Sequence, residues 1–164
     1  MGKVKKIMDK VLSAACAVLL SFMTLLATYQ VISRYVFSSP STMSEDLLSY
    51  SFVWVSLLGT ALVFGQKDHM SLSIFSDRLV GVNKFVLSIF TELLIMFIAI
   101  IVFLFGGTQV VGVGAIQISP TLNISMDWIY IVLPISGVLI IIYNCINIIQ
   151  LIQQFNESKK EGIL

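Results

Sequence analysis

The segment FVLSIFTELLIMFIAIIVFLFGGTQVV, residues 85–111, contains one ionisable side chain, Glu92. A helix that crosses the hydrocarbon core of a membrane needs about 20 predominantly apolar residues, and this segment exceeds that length. Its apolar residues also lack the strict alternation that a membrane-spanning β-strand requires. The segment therefore predicts a transmembrane helix.

Three further apolar segments of this kind occur along the chain, at residues 11–33, 47–65 and 128–152. The 164 residues are 57% hydrophobic and 12% charged, which is outside the range of soluble globular domains. We therefore predict an all-α integral membrane protein. Residues 1–164 are expected to form a single membrane domain with four transmembrane helices.

The basic residues predict the orientation of these helices. Of ten lysine and arginine residues, all but Arg34 lie before the first span, between spans two and three, or after span four. Short cytoplasmic loops of multi-pass membrane proteins carry the excess of positive charge. Both termini are therefore expected in the cytoplasm.

The connections between the spans differ in character. Residues 66–84 mix charged and apolar side chains, which favours a short helix lying in the membrane interface between spans two and three. Residues 112–127 contain glycine, proline, serine and asparagine but almost no charge. They predict a turn or a partly re-entrant loop.

Polar side chains within the spans are candidates for function, because burying a charge in lipid costs about 3 kcal/mol or more. For Glu92, pairing with Lys84 or with a neighbouring helix is favoured over a proton relay. Asn144 and Asn147 lie on one face of span four. Such amides usually hydrogen-bond between helices, although ion and substrate paths use the same residue types.

Several chemistries are excluded by the residue types present. The one histidine, His69, lies between spans, and no phosphate-binding loop or hydrolytic triad is recognisable. Cys16 and Cys145 are far apart within apolar runs, where small buried hydrophobes are expected. A net charge of +1 gives no field that attracts nucleic acid. We therefore predict no catalytic residue, no metal site, no cofactor and no nucleic-acid partner.

An acidic pair, Glu45 and Asp46, directly precedes span two. Thr42 and Glu45 have the spacing of a capping box, in which both side chains bind free amides at the start of a helix. Arg34, at the other side of the first hairpin, is expected to contact one of the two carboxylates and to clasp the hairpin. The same residues would otherwise contact a partner protein.

The stretch RYVFSSPSTMSEDLLSYSFVWVSLLGTALVFGQKDH, residues 34–69, resembles the small membrane subunit of tripartite ATP-independent periplasmic (TRAP) transporters, the DctQ-like family. The positions that match its motifs are Arg34, Tyr35, Phe37, Glu45, Asp46, Phe52, Trp54, Leu58, Gly59 and His69. A second stretch, SPTLNISMDWIYIVLP at residues 119–134, is similar to the sequence before the family's last span. Met43 departs from the family's usual tryptophan, and Asp46 from its second glutamate.

This resemblance implies a non-catalytic subunit of the bacterial inner membrane that scaffolds a large sodium-coupled membrane subunit. The transporter would import an organic anion of the sialic acid or C4-dicarboxylate class, delivered by a periplasmic substrate-binding protein. The expected partners are the large TRAP membrane subunit, the periplasmic protein and membrane lipids. The candidate interface residues are Arg34, Glu45, Asp46, Trp54 and Gly59. The alternative function is an independent oligomeric four-helix carrier or channel.

Overall fold

The computed structural model describes residues 2–39, 41–66 and 82–160. Its regular elements are α1 (Gly2–Tyr35), α2 (Thr42–Gln66), α3 (Val82–Ile98), a π-helical segment (Ala99–Gly106), α4 (Gly107–Gly114), α5 (Asp127–Tyr130) and α6 (Val132–Lys160). The third span consists of α3, the π-helical segment and α4, which run without a break. The fourth span consists of α5 and α6.

Among the described residues, four helices are long and apolar enough to cross a membrane: Val4–Tyr35, Thr42–Gly65, Phe85–Gly114 and Asp127–Asn156. The shortest has 24 residues. At a rise of about 1.5 Å per residue it extends about 36 Å, which exceeds the hydrocarbon thickness of about 30 Å. The predicted all-α fold with four spans is confirmed.

The first two helices begin earlier than the apolar runs indicate. Helix α1 begins at Gly2, because helical structure continues through the charged residues that precede the apolar run. Helix α2 begins at Thr42, where the side chain of Ser41 accepts a hydrogen bond from the amide of Ser44 at 3.4 Å. The predicted capping box is therefore wrong by one residue, since Ser41 rather than Thr42 caps the helix.

The fourth span is interrupted near its beginning. A turn at Ile131 separates α5 from α6, three residues before Pro134. Proline has no amide hydrogen, so the carbonyl of Tyr130 loses its helical partner. The proline therefore explains why the span is built from two helices.

The helices pack in the order α1, α2, α6 and third span. Helix α6 lies in the middle of this order, and its residues Ile140 and Tyr143 are buried. Close approach depends on glycine: a β-carbon at Gly137 would lie 2.7 Å from Cβ of Phe103 in the third span. The fourth span therefore supplies much of the core and lies between α2 and the third span.

Two predictions concern features that the structure leaves untested. The short interfacial helix predicted for residues 66–84 falls largely on residues 67–81, which lie outside the described residues. The cytoplasmic placement of both termini depends on a membrane, and it stays a prediction.

Candidate functional site

The loop between the third and fourth spans forms a small hairpin. A β-bridge joins Ile118 to Ser125, and the amide of Ser119 donates a hydrogen bond to the carbonyl of Ile124 at 2.9 Å. Asn123 has a left-handed backbone with a φ of 55°, which asparagine tolerates better than most residues. The predicted turn is therefore an ordered hairpin that presents its polar side chains to α2.

Four polar residues, which we call the loop cluster, join this hairpin to the start of α2: Asp46, Tyr50, Ser119 and Thr121. The hydroxyl of Thr121 donates a hydrogen bond to the Asp46 carboxylate. The hydroxyl of Tyr50 donates to Oγ of Ser119 at 3.2 Å, and Oγ of Ser119 lies 3.3 Å from Oγ1 of Thr121. Asp46 and Tyr50 are four residues apart and so face the hairpin from the same side of α2.

The predicted clasp between Arg34 and the acidic pair is not formed. Within residues 2–39 and 41–66, no ion pair joins Arg34 to Glu45 or Asp46, and both Arg34 and Glu45 are exposed. Asp46 instead binds Thr121, which lies 75 positions further along the chain. The carboxylate therefore holds the loop between spans three and four rather than the first hairpin, since a hydroxyl donor lies within its reach.

A second polar group, the terminal cluster, lies at the opposite end of the bundle and comprises Lys5, Asp9, Tyr143, Asn144 and Asn147. The hydroxyl of Tyr143 donates a hydrogen bond to Oδ1 of Asp9 at 2.7 Å. Nζ of Lys5 donates to Oδ1 of Asn147 at 3.1 Å. Lys5 and Asp9 are four positions apart in α1, and Tyr143 and Asn147 are four positions apart in α6. Two adjacent hydrogen bonds therefore join α1 to α6.

The two asparagines of the terminal cluster behave differently. Both are buried, but Asn147 contacts α1, whereas Oδ1 of Asn144 has no hydrogen-bond partner among the described residues. Helix α6 continues without a break through both positions. Paths for ions usually include a broken helix with converging carbonyl groups, so the geometry around Asn147 favours a contact between helices.

Glu92 lies half-buried in α3. Its predicted partner, Lys84, belongs to the side chains outside the described part of the structure. Pairing between the two therefore stays a prediction.

Trp54 and Gly59 occupy different environments on α2. The Trp54 side chain is half-buried, whereas a β-carbon at Gly59 would meet no atom within 4 Å. Six positions further on, a β-carbon at Gly65 would lie 2.6 Å from the ring of Tyr143. Gly59 therefore faces away from the bundle, and Gly65 faces into it.

The cysteines and acidic residues offer no obvious site for redox or metal chemistry. Within the described ranges, no group of three or more histidine, cysteine, aspartate or glutamate side chains is arranged to hold a metal ion. Both cysteines are free, Cys16 half-buried and Cys145 exposed on the surface of the chain. The expectation that Cys145 is buried is wrong. The apolar residues of α6 extend beyond the face that packs against neighbouring helices, and Cys145 lies outside that face.

Residues 23–154 match the family described as tripartite ATP-independent periplasmic transporters, DctQ component. The chain belongs to this family. The chain is therefore a small permease subunit of a TRAP transporter, a multi-pass membrane protein and not an enzyme. The match covers residues 23–35 of α1, all of spans two and three, and span four up to residue 154.

Three relatives illustrate this membership. The chain is 29% identical over 139 residues to the sialic acid TRAP transporter small permease protein SiaQ of Vibrio cholerae, which covers 84% of this chain and 79% of that protein. It is 27% identical over 88 residues to a TRAP transporter small permease protein of Haemophilus influenzae, covering 54% of this chain and 55% of the relative. It is 28% identical over 110 residues to the sialic acid TRAP transporter permease protein SiaT of Haemophilus influenzae. That last match covers 67% of this chain but 18% of SiaT.

Several residues of the two clusters were not identified from the sequence. Asp9 is the one acidic residue among the lysines that precede the first apolar run, and that isolation is a usable signal. Tyr143 precedes Asn147 by four positions and so shares its helix face. Tyr50 and Thr121 carry no comparable signal, because their partners are far away in sequence.

Proposed function

We propose that this TRAP small permease subunit acts as a scaffold for a large, sodium-coupled membrane subunit. That transporter imports an organic anion of the sialic acid or C4-dicarboxylate class, which a periplasmic substrate-binding protein delivers. The observation that carries the proposal is where the polar side chains form hydrogen bonds. The hydrogen bonds of the terminal cluster join α1 to α6, and those of the loop cluster join α2 to the hairpin between spans three and four at the opposite end of the bundle.

This distribution of hydrogen bonds fits a rigid scaffold better than a carrier whose helices move. A buried hydrogen bond typically contributes about 0.5–1.5 kcal/mol, and a donor or acceptor left without a partner costs about 1–3 kcal/mol. Sliding α6 against α1, or the loop hairpin against α2, would break several of these bonds at once. The bundle is therefore suited to hold a neighbouring subunit while that subunit moves.

The proposed substrate class derives from relatives. The SiaQ protein of Vibrio cholerae and the SiaT protein of Haemophilus influenzae are both described as parts of sialic acid transporters. Sialic acid is therefore the first organic anion to test, and C4-dicarboxylates are the second. Specificity is expected to reside in the large subunit and the periplasmic protein.

Two exposed charges support a contact with a further protein at the loop-cluster end. Arg34 and Glu45 are both exposed and have no partner within the described residues. Positive-inside orientation would place them on the periplasmic side, where the substrate-binding protein arrives. Arg34→Gln and Glu45→Gln are expected to lower uptake without dissociating the membrane complex. Unchanged uptake in both variants would remove this contact from the proposal.

The function is tested in cells that lack the gene for this chain and carry the rest of the transporter. Uptake of radiolabelled sialic acid and succinate is measured with and without a sodium gradient, before and after the chain is restored. We expect sodium-dependent uptake of one substrate only when the chain and the large subunit are both present. Uptake by liposomes that contain this chain alone would instead support an independent carrier or channel.

A further inference from the structure

The loop-facing end of the third span carries a cleft of about 440 Å³. Its lining residues are Gly106, Gln109, Val110, Val113, Gln117 and Tyr130. Three of these side chains can form hydrogen bonds, and the rest are apolar or lack a side chain. The cleft opens at the surface of the chain and belongs to neither polar cluster.

The three polar side chains of this cleft have no hydrogen-bond partner within the described part of the chain. Gln109 lies five residues before the end of the Phe85–Gly114 span, so at about 1.5 Å per residue its Cα is about 8 Å inside that end. The span has 30 residues and is about 45 Å long, which exceeds the hydrocarbon thickness of about 30 Å, so Gln109 lies near the boundary of the hydrocarbon core. An exposed amide at this depth can hydrogen-bond to a neighbouring helix. The cleft therefore favours a partner that can form hydrogen bonds.

Other exposed polar residues of the spans need no hydrogen-bond partner from another molecule. On α1, the hydroxyls of Ser21, Thr24 and Thr28 each donate a hydrogen bond to the carbonyl four residues earlier. On α2, Thr60 does the same with the carbonyl of Ser56 at 2.7 Å. These hydroxyls can face lipid, because their own helix satisfies them. The amide of Gln109 has no such internal acceptor or donor.

The surface around the cleft fits another protein helix. Val113 of the cleft lining and Phe105 next to the cleft are exposed, and at Gly112 a β-carbon would meet no atom within 4 Å, so a neighbouring backbone can approach closely. No charged residue lines the cleft, so a lipid phosphate would find no cation there. The chemistry that matches is an apolar helix with one neutral hydrogen-bonding side chain.

We propose that a membrane-spanning segment of the large TRAP subunit packs into this cleft and hydrogen-bonds to Gln109. The inference rests on the proposed function, and it names the face of this chain that the large subunit covers. The match to SiaT of Haemophilus influenzae supports the choice of occupant. That match covers 18% of SiaT, so a segment similar to this chain forms part of a much longer permease.

The proposal is tested by photo-cross-linking in membranes that contain the whole transporter. The photoreactive residue p-benzoyl-phenylalanine replaces Val113, which lines the cleft, or, as a control, Val31, which is exposed near the same end of the bundle on α1. Products are identified by mass spectrometry. We expect a cross-link to the large subunit from position 113 and cross-links to lipid from position 31.

A second measurement examines the hydrogen bond itself. Gln109→Leu is compared with Thr108→Val. The hydroxyl of Thr108 already donates a hydrogen bond to the carbonyl of Phe105 at 2.9 Å, so it is not available to a partner. Hydrogen bonds between membrane helices contribute about 0.6–1.7 kcal/mol, so Gln109→Leu should weaken recovery of the large subunit about three- to eighteenfold. Thr108→Val should leave recovery unchanged.

The outcomes separate this inference from the proposed function. Suppose the complex copurifies, position 113 cross-links only to lipid, and position 31 cross-links to the large subunit. The scaffold function then stands and the proposed face is wrong. Equal recovery of the large subunit with Gln109→Leu and Thr108→Val would also overturn the role of Gln109. If the wild-type chain recovers no large subunit, the proposed function itself fails.

Discussion

The ring of Tyr143 lies directly over Gly65. A β-carbon at Gly65 would be 2.6 Å from the Cδ1 and Cε1 atoms of that ring, so α2 and α6 approach here as closely as glycine allows. The hydroxyl of the same ring donates a 2.7 Å hydrogen bond to Asp9. Tyr143 therefore joins α1, α2 and α6 at one point of the bundle.

Gly65→Ala is expected to destabilise the bundle. The new methyl group must displace a fully buried ring, and overpacking of this kind typically costs about 1–3 kcal/mol. The thermal midpoint of the purified chain in detergent should fall. Gly59→Ala is the control, since its β-carbon meets nothing and alanine favours helix by up to about 1 kcal/mol. Equal stability of the two variants would contradict the packing described here.

Tyr143→Phe should weaken the contact between α1 and α6. The ring is retained but Asp9 loses its donor, at an expected cost of about 0.5–1.5 kcal/mol. Tyr29→Phe, at an exposed position on α1, serves as control and should have no effect. In a double-mutant cycle with Asp9→Ala, the two changes should be less than additive. Full additivity would show that the two side chains do not interact.

Thr121→Val should loosen the hairpin between spans three and four. The variant removes the hydroxyl that binds Asp46, so limited proteolysis with proteinase K should cleave residues 115–126 faster. Asp46→Asn should have a smaller effect, because a carboxamide oxygen still accepts a hydrogen bond. Glu45→Gln on the same turn of α2 is the matched control. Faster cleavage in that control would show that the charge, not the hydroxyl contact, stabilises the hairpin.

The predicted orientation can be checked by labelling cysteines in intact cells, after Cys16 and Cys145 are replaced by alanine. A membrane-impermeant thiol reagent should label Ser39→Cys, which lies between spans one and two. Asn156→Cys, near the end of α6, should be labelled only after the cells are opened. Labelling of both positions from outside would overturn the cytoplasmic placement of the termini.

The sequence was sufficient to predict the number and approximate position of the spans. The hydrocarbon core requires about 20 apolar residues per helix, and it leaves backbone groups no partner outside the helix itself. These requirements are local, so a single run of residues is enough to predict a span. The first helix begins earlier than predicted because its charged residues are helical as well, which an apolar run does not reveal.

The π-helical segment Ala99–Gly106 was not foreseen. Its sequence, AIIVFLFG, is as apolar as the α-helical residues around it, and no proline or polar residue distinguishes it. Within this segment Phe103 packs directly against Gly137 of α6. Composition alone cannot report such a contact.

The motif around Asp46 likewise combines a feature that the sequence predicts with one that only the tertiary structure reveals. The acidic residue at the start of span two is recognisable in the sequence, and so is its place in a family motif. Its partner is not, because Thr121 is 75 positions away and reaches Asp46 only after two further spans have packed. Asp9 and Tyr143 are 134 positions apart and meet for the same reason. Hydrophobic length determines where each helix lies in the membrane, whereas the rotation and packing of the helices decide which polar groups meet.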